Sequence, residues 1–162
     1  TQSPSRLRAL SRRYMPVGNR VVLIGGGLVG LELAEFFVER DREVTVLHEG
    51  PVLGTEMAHP RRWRVLQDLR DHGAALVQSA TILEIERSAV RYRVGDEEAR
   101  AAADTVILTT GVAPDPALAD ALRAEGIEPI VIGDVSGVGY IEGAIHDGFH
   151  AAITLGEDAP TG

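Results

Sequence analysis

Apolar residues follow two rhythms along this chain, and the switches between them mark out its elements. Residues 20–24 (RVVLI) form an apolar run rich in β-branched side chains, the pattern of a strand buried on both faces. Three glycines follow, and then Leu28, Leu31, Ala34 and the Phe36–Phe37 pair recur at helical spacing. Residues 43–48 (EVTVLH) predict a second strand. Residues 60–71 predict a helix, with Pro60 in its first turn and Gly73 just past its end. Trp63, at helical spacing, is expected in its core face. A third short strand is expected over 74–77.

The period then changes to two. Ile82–Leu83, then Val90, Tyr92 and Val94, then residues 99–103 alternate with charged positions, and Gly95-Asp96 falls between two of these runs. This predicts a three-stranded antiparallel meander with one face in water. Residues 104–110 (DTVILTT) return to the buried, parallel-type pattern. Asp115 and Pro116 suit the N-cap and first turn of a helix reaching about Ala124. A last strand is expected over 129–132, closed by Gly133-Asp134, with a terminal helix over 140–154. Residues 5–14 carry a weakly amphipathic pattern and predict a short N-terminal helix.

The glycine cluster changes this outline into a functional expectation. Gly25, Gly27 and Gly30 satisfy G-x-G-x-x-G, and Gly26 lies within the same turn. Alone the motif is weak; here a strand precedes it, a helix follows, and an acidic residue lies about 20 positions on. Gly25 allows the tight turn, Gly27 lets a pyrophosphate approach the backbone, and Gly30 permits close helix–strand packing. The helix start at Leu28 and Val29 then offers free N–H groups and the positive dipole end. His48 and Glu49 close the second strand. Glu49 is placed to accept from the adenosine ribose hydroxyls, and its charge disfavours a 2′-phosphate, so NAD is expected over NADP. The competing reading is a glycine-tolerant corner with a solvated glutamate.

Charge and composition narrow the partners. A net charge of −8 argues against nucleic acid, despite a basic cluster at Arg6, Arg8, Arg12 and Arg13. No apolar run is long enough to cross a bilayer as a helix, and no signal-peptide pattern is present. With no cysteines there is no disulfide, thiolate-metal or iron–sulfur site, and a cytoplasmic location is expected. The chain begins at Thr1, which suggests a processed or excised piece. Glu142, His146 and His150 share one helix face, but spacing supplies no further convergent ligand, so no metal site is expected. No residue has the setting of a catalytic acid, base or nucleophile, and none is assigned that role.

The stretches DTVILTTGVAP (104–114) and VIGDVSGVGYIEGAIHDG (131–148), taken with the glycine turn, resemble the two-dinucleotide-binding-domain flavoproteins. With GGGLVGLELAEF and EGPVLGTEMAHPRRW, they look most like the C-terminal region of NADH:flavin oxidoreductases related to old yellow enzyme, 2,4-dienoyl-CoA reductase and trimethylamine dehydrogenase. The resemblance implies an NAD(H) domain inserted in a split FAD domain, with Thr110 and Gly111 at the return to the latter. It implies that Gly133 and Asp134 face FAD, and that Glu32 lies near the nicotinamide. For Asp134 the alternative is a plain cap or turn residue, and for Glu32 simple dipole complementarity. Only one G-x-G-x-x-G is present, so the flavin is expected mainly on a flavin-bearing remainder of a parent protein.

The expected architecture is therefore α/β: a Rossmann-like parallel sheet with an inserted three-stranded antiparallel meander and a C-terminal βα segment. Residues 1–17 are read as an N-terminal helix and linker, 18–108 as the NAD(H)-binding domain, and 109–162 as the return segment of the FAD domain. The expected role is to position NADH for hydride transfer to a flavin; the alternative is a non-catalytic ADP- or NAD-binding regulatory or structural module.

Overall fold

The computed structural model describes residues 10–11 and 14–157, so most of the short helix expected over 5–14 lies outside the described residues. The chain divides into two compact units, one ending at Gly111 and one beginning at Val112.

The first unit is built on a four-stranded sheet in the order β3-β2-β1-β7, with β1 at Arg20–Ile24, β2 at Glu43–Leu47, β3 at Ala75–Val77 and β7 at Thr105–Leu108. Every pairing in it is parallel. Two helices, α1 (Leu28–Val38) and α2 (His59–Asp71), join the first three strands. The second sheet is the antiparallel meander β4 (Ala80–Ile85), β5 (Ala89–Val94) and β6 (Glu97–Ala102).

The burial of β1 explains its unbroken apolar sequence. Val21 and Leu23 join Leu31, Ala34 and Phe37 of α1 and Val65 and Leu69 of α2 in one cluster. Val22 and Ile24, pointing the other way, join Ala80, Val90 and Ala101 of the meander in another. A strand with helices on one face and a sheet on the other has no solvent side, so the period-2 signal vanishes. In the meander strands only Ala80, Ala89, Val90 and Ala101 are buried, so burial there does not follow the strict alternation of the sequence.

Two local expectations are corrected. Trp63 is 71% exposed. The inward stripe of α2 runs through Val65, Leu66 and Leu69, and Trp63 stands more than a quarter turn from the centre of that stripe. In the second unit, residues 129–132 form no strand among the described residues. Ile132 has extended backbone angles, but no second strand offers it a hydrogen-bond ladder.

The second unit instead comprises α3 (Ala117–Ala124), a 3-10 turn at Gly133–Val135 and α4 (Tyr140–Glu157). Helix α3 begins after Pro116, one residue later than expected, and Asp115 still accepts a hydrogen bond from the Ala117 N–H at 3.1 Å. Among the described residues, no helix is long and apolar enough to cross a membrane.

Candidate dinucleotide site

The glycine turn lies where β1 gives way to α1, at the carboxyl ends of the parallel strands. Gly25 has φ +116° and its N–H donates to the Leu47 carbonyl at 2.8 Å, tying the turn to the end of β2. A Cβ at Gly25 would stand 2.4 Å from the Thr109 carbonyl oxygen. One at Gly30 would stand 2.0 Å from the carbonyl oxygen of Gly25. Both obstacles are backbone, which cannot swing aside. The first helical turn is thus pressed against the strand, the close approach that G-x-G-x-x-G serves.

Gly27 is the N-cap of α1, and no side chain caps that helix. The N–H groups of the first turn, including those of Leu28 and Val29, have no intrahelical acceptor, and they add to the positive end of the dipole. Val29 and Glu32 are exposed, Glu32 being one turn further along. The arrangement can seat an anion against backbone donors.

His48 and Glu49 divide between two tasks. The Gly26 N–H donates to His48 Nδ1 at 3.2 Å, and His48 Nε2 lies 3.0 Å from the Val52 carbonyl. An accepting Nδ1 leaves the proton on Nε2, which donates to Val52. His48 is therefore a strut between the glycine turn and the following loop. Glu49 is exposed, and no hydrogen bond or ion pair reaches its carboxylate among the described residues. It is free to accept.

Several contributors escaped the sequence reading. The Thr109 hydroxyl lies 2.8 Å from the Gly25 carbonyl and 3.1 Å from that of Ile24, clasping the turn from just past β7, 84 positions from Gly25. Thr110 and Gly111, the residues expected to matter there, are exposed, with Gly111 at φ +119° in open space. Arg61 forms a two-pronged pair with Glu35, at 2.6 and 3.1 Å. The Glu35 hydrogen bond raises the Arg61 pKa further above its already high ordinary value. That pairing commits the first of the two arginines after β2 that could meet a 2′-phosphate. Arg62, the second, donates through Nε to the Leu53 carbonyl at 2.6 Å.

In the second unit, Gly133 is buried at φ +70°, and its N–H donates to Asp147 at 3.0 Å. Asp134 Oδ1 accepts from the N–H groups of Gly139 and Tyr140, each at 3.0 Å. One carboxylate oxygen thus caps the start of α4, the alternative weighed from the sequence. Its other oxygen has no protein partner among the described residues. No group of three or more His, Asp or Glu side chains that could hold a metal ion occurs among the described residues. A separate groove lined by Arg20, Arg42, Thr45 and His72 opens where the strands begin, at the far end of the sheet from the glycine turn.

A parallel sheet with a glycine turn at the carboxyl end of its first strand defines a Rossmann-type dinucleotide-binding domain. The match to known proteins makes this more specific. Residues 3–133 match the family model described as pyridine nucleotide-disulphide oxidoreductase, and the chain belongs to that family of NAD(H)- and FAD-dependent flavoprotein oxidoreductases. It is similar to an NADH oxidase of Thermoanaerobacter brockii, 33% identical over 82% of this chain and 21% of that protein. A metal reductase of Desulforamulus reducens is 26% identical over 84% of this chain and 25% of its own length. Among solved structures, 2-naphthoyl-CoA reductase superposes with a TM-score of 0.75 at 30% identity, over 83% of this chain and 21% of that one. The chain thus corresponds to about a quarter or less of the length of these relatives.

Proposed function

We propose that this chain is the NAD(H)-binding region of a flavin-dependent NADH oxidoreductase of the 2,4-dienoyl-CoA reductase-like branch. It positions NADH for hydride transfer to a flavin carried mainly by the rest of a longer protein. The observation that carries the reading is the site's sterics: Gly25 and Gly30 admit no Cβ, while Gly27 and the uncapped start of α1 offer backbone donors to a pyrophosphate. Glu49, free at the end of β2, accepts from the adenosine ribose, and Gly26 and His48 hold the turn in shape. When bound, the nicotinamide supplies the hydride; this chain contributes position and electrostatics.

Residues 18–108 form the NAD(H)-binding domain on this reading, and 109–162 return to the FAD domain. The free oxygen of Asp134 is available to a flavin ribityl hydroxyl, with Thr110, Gly111 and Gly133 at the bends of that return. Support for a covering remainder comes from the apolar side chains that the second unit leaves in water: Leu118, Ile141, Ile145 and Phe149 are all 62% exposed or more.

Replacing Glu49 with arginine tests the ribose assignment. Glu49→Arg is expected to weaken NADH binding about tenfold and to narrow or reverse the preference over NADPH. Unchanged NADH affinity in a folded variant would remove Glu49 from the site. Tight ADP binding without any hydride transfer to an added flavin would instead favour a structural or regulatory nucleotide module.

A further inference from the structure

Glu56 brings a carboxylate to the face of the glycine turn that a pyrophosphate would need. A Cβ placed on Gly27 would stand 2.9 Å from Oε1, 3.3 Å from Oε2 and 3.4 Å from the carboxyl carbon of Glu56. The whole carboxylate therefore lies across the Gly27 α-carbon, at the N-cap of α1. An anion is favoured there by the helix end for the same reason that a phosphate would be.

The backbone beneath Glu56 is pinned. The Gly54 N–H donates to the Gly26 carbonyl at 2.8 Å, and the Met57 N–H to the Gly54 carbonyl at 3.1 Å. Arg62 Nε holds the Leu53 carbonyl, and Leu53 and Met57 are buried. The Glu56 side chain, by contrast, is exposed, and no hydrogen bond or ion pair ties it down among the described residues. Rotation of that side chain clears the seat while the loop stays where it is.

We propose that Glu56 is a built-in competitor for the dinucleotide phosphates: its carboxylate occupies the pyrophosphate seat over Gly27 and must swing out for NADH to bind. The inference rests on the dinucleotide reading above and adds an element of control to it. Two anions cannot share one helix end, so the charge of Glu56 opposes binding even after its flexible side chain has turned aside.

Isothermal titration of the full chain and of Glu56→Gln with NADH, ADP and adenosine tests this. Removing one charge at this range in a partly solvated site should tighten NADH and ADP about threefold to tenfold. Adenosine, which has no phosphate, should bind both forms equally, and added salt should narrow the gap for the phosphorylated ligands. Glu56→Ala, with its fold checked by circular dichroism, should act in the same direction. Equal affinities in wild type and variant, weaker NADH binding by the variant, or equal tightening for adenosine would each overturn the proposal. If neither folded form binds NADH or ADP, the dinucleotide reading itself fails, and the proposal fails with it. Binding by the variant alone would support both.

Discussion

Leu31, in the first half of α1, is completely buried among side chains of β1, β2 and α2, whereas Ile141, near the start of α4, is 80% exposed. The contrast extends to the units they belong to. In the first, the central strand β1 is buried on both faces, and the glycine turn follows directly from it. In the second, isoleucines and a phenylalanine meet water, and the expected strand has no neighbour to pair with. The second unit leaves Leu118, Ile141, Ile145 and Phe149 exposed, the surface that the proposed function assigns to contact with the rest of a longer protein.

Substitutions in matched pairs sharpen this difference. The largest gap is expected between Leu31→Ala and Ile141→Ser. Emptying the buried site should cost about 2–5 kcal/mol in urea unfolding. The exposed change should stay within about 0.5 kcal/mol. A large loss of stability for Ile141→Ser would mean that the second unit has a core of its own.

Glycines provide a second pair. Gly30→Ala drives a Cβ into the Gly25 carbonyl, and an expected loss of about 2–3 kcal/mol should come with loss of NADH binding. Gly137→Ala meets nothing within 4 Å and has no left-handed backbone, so its stability should change by less than about 0.5 kcal/mol.

The smallest effect concerns an ion pair in the first unit. Arg20 Nη2 lies 2.5 Å from Asp104 Oδ1, and the Arg20 N–H donates to Oδ2 at 2.9 Å. Hydrogen bonds from Arg20 lower the Asp104 carboxyl from 3.8 to about 2. A carboxyl lowered by folding adds stability above its unfolded pKa and loses it as pH falls through the folded value. The melting-temperature difference between wild type and Asp104→Asn should thus hold steady above about pH 4 and close towards pH 2. Because the pair is solvent-exposed, the difference should be small. A difference independent of pH down to 2 would show that the pair does not act through the charge of Asp104.

The parts of the molecule most open to sequence reading were those governed by local rules. Strand β1 followed from its β-branched run, the helix start from Gly27, and the meander from its change of period. Trp63 misled because helical spacing does not say which stripe faces inward when Val65, Leu66 and Leu69 offer a better one. Residues 129–132 have strand-like composition, but a strand exists only with a partner. Thr109 and Glu56 reach the glycine turn from just past β7 and from the loop before α2, and no spacing rule links them to Gly25 or Gly27. His48 could be placed at the end of β2 from sequence, yet its role as a strut depends on where the Val52 carbonyl falls.

Calorimetric titration of the full chain with NADH and NADPH in parallel decides whether the glycine turn and Glu49 form an NAD(H) site. One saturable NADH site per chain is expected, with NADPH binding at least about tenfold weaker, since a carboxylate at Glu49 would repel the 2′-phosphate. A flat NADH titration of the folded chain, or equal affinity for the two cofactors, would contradict it.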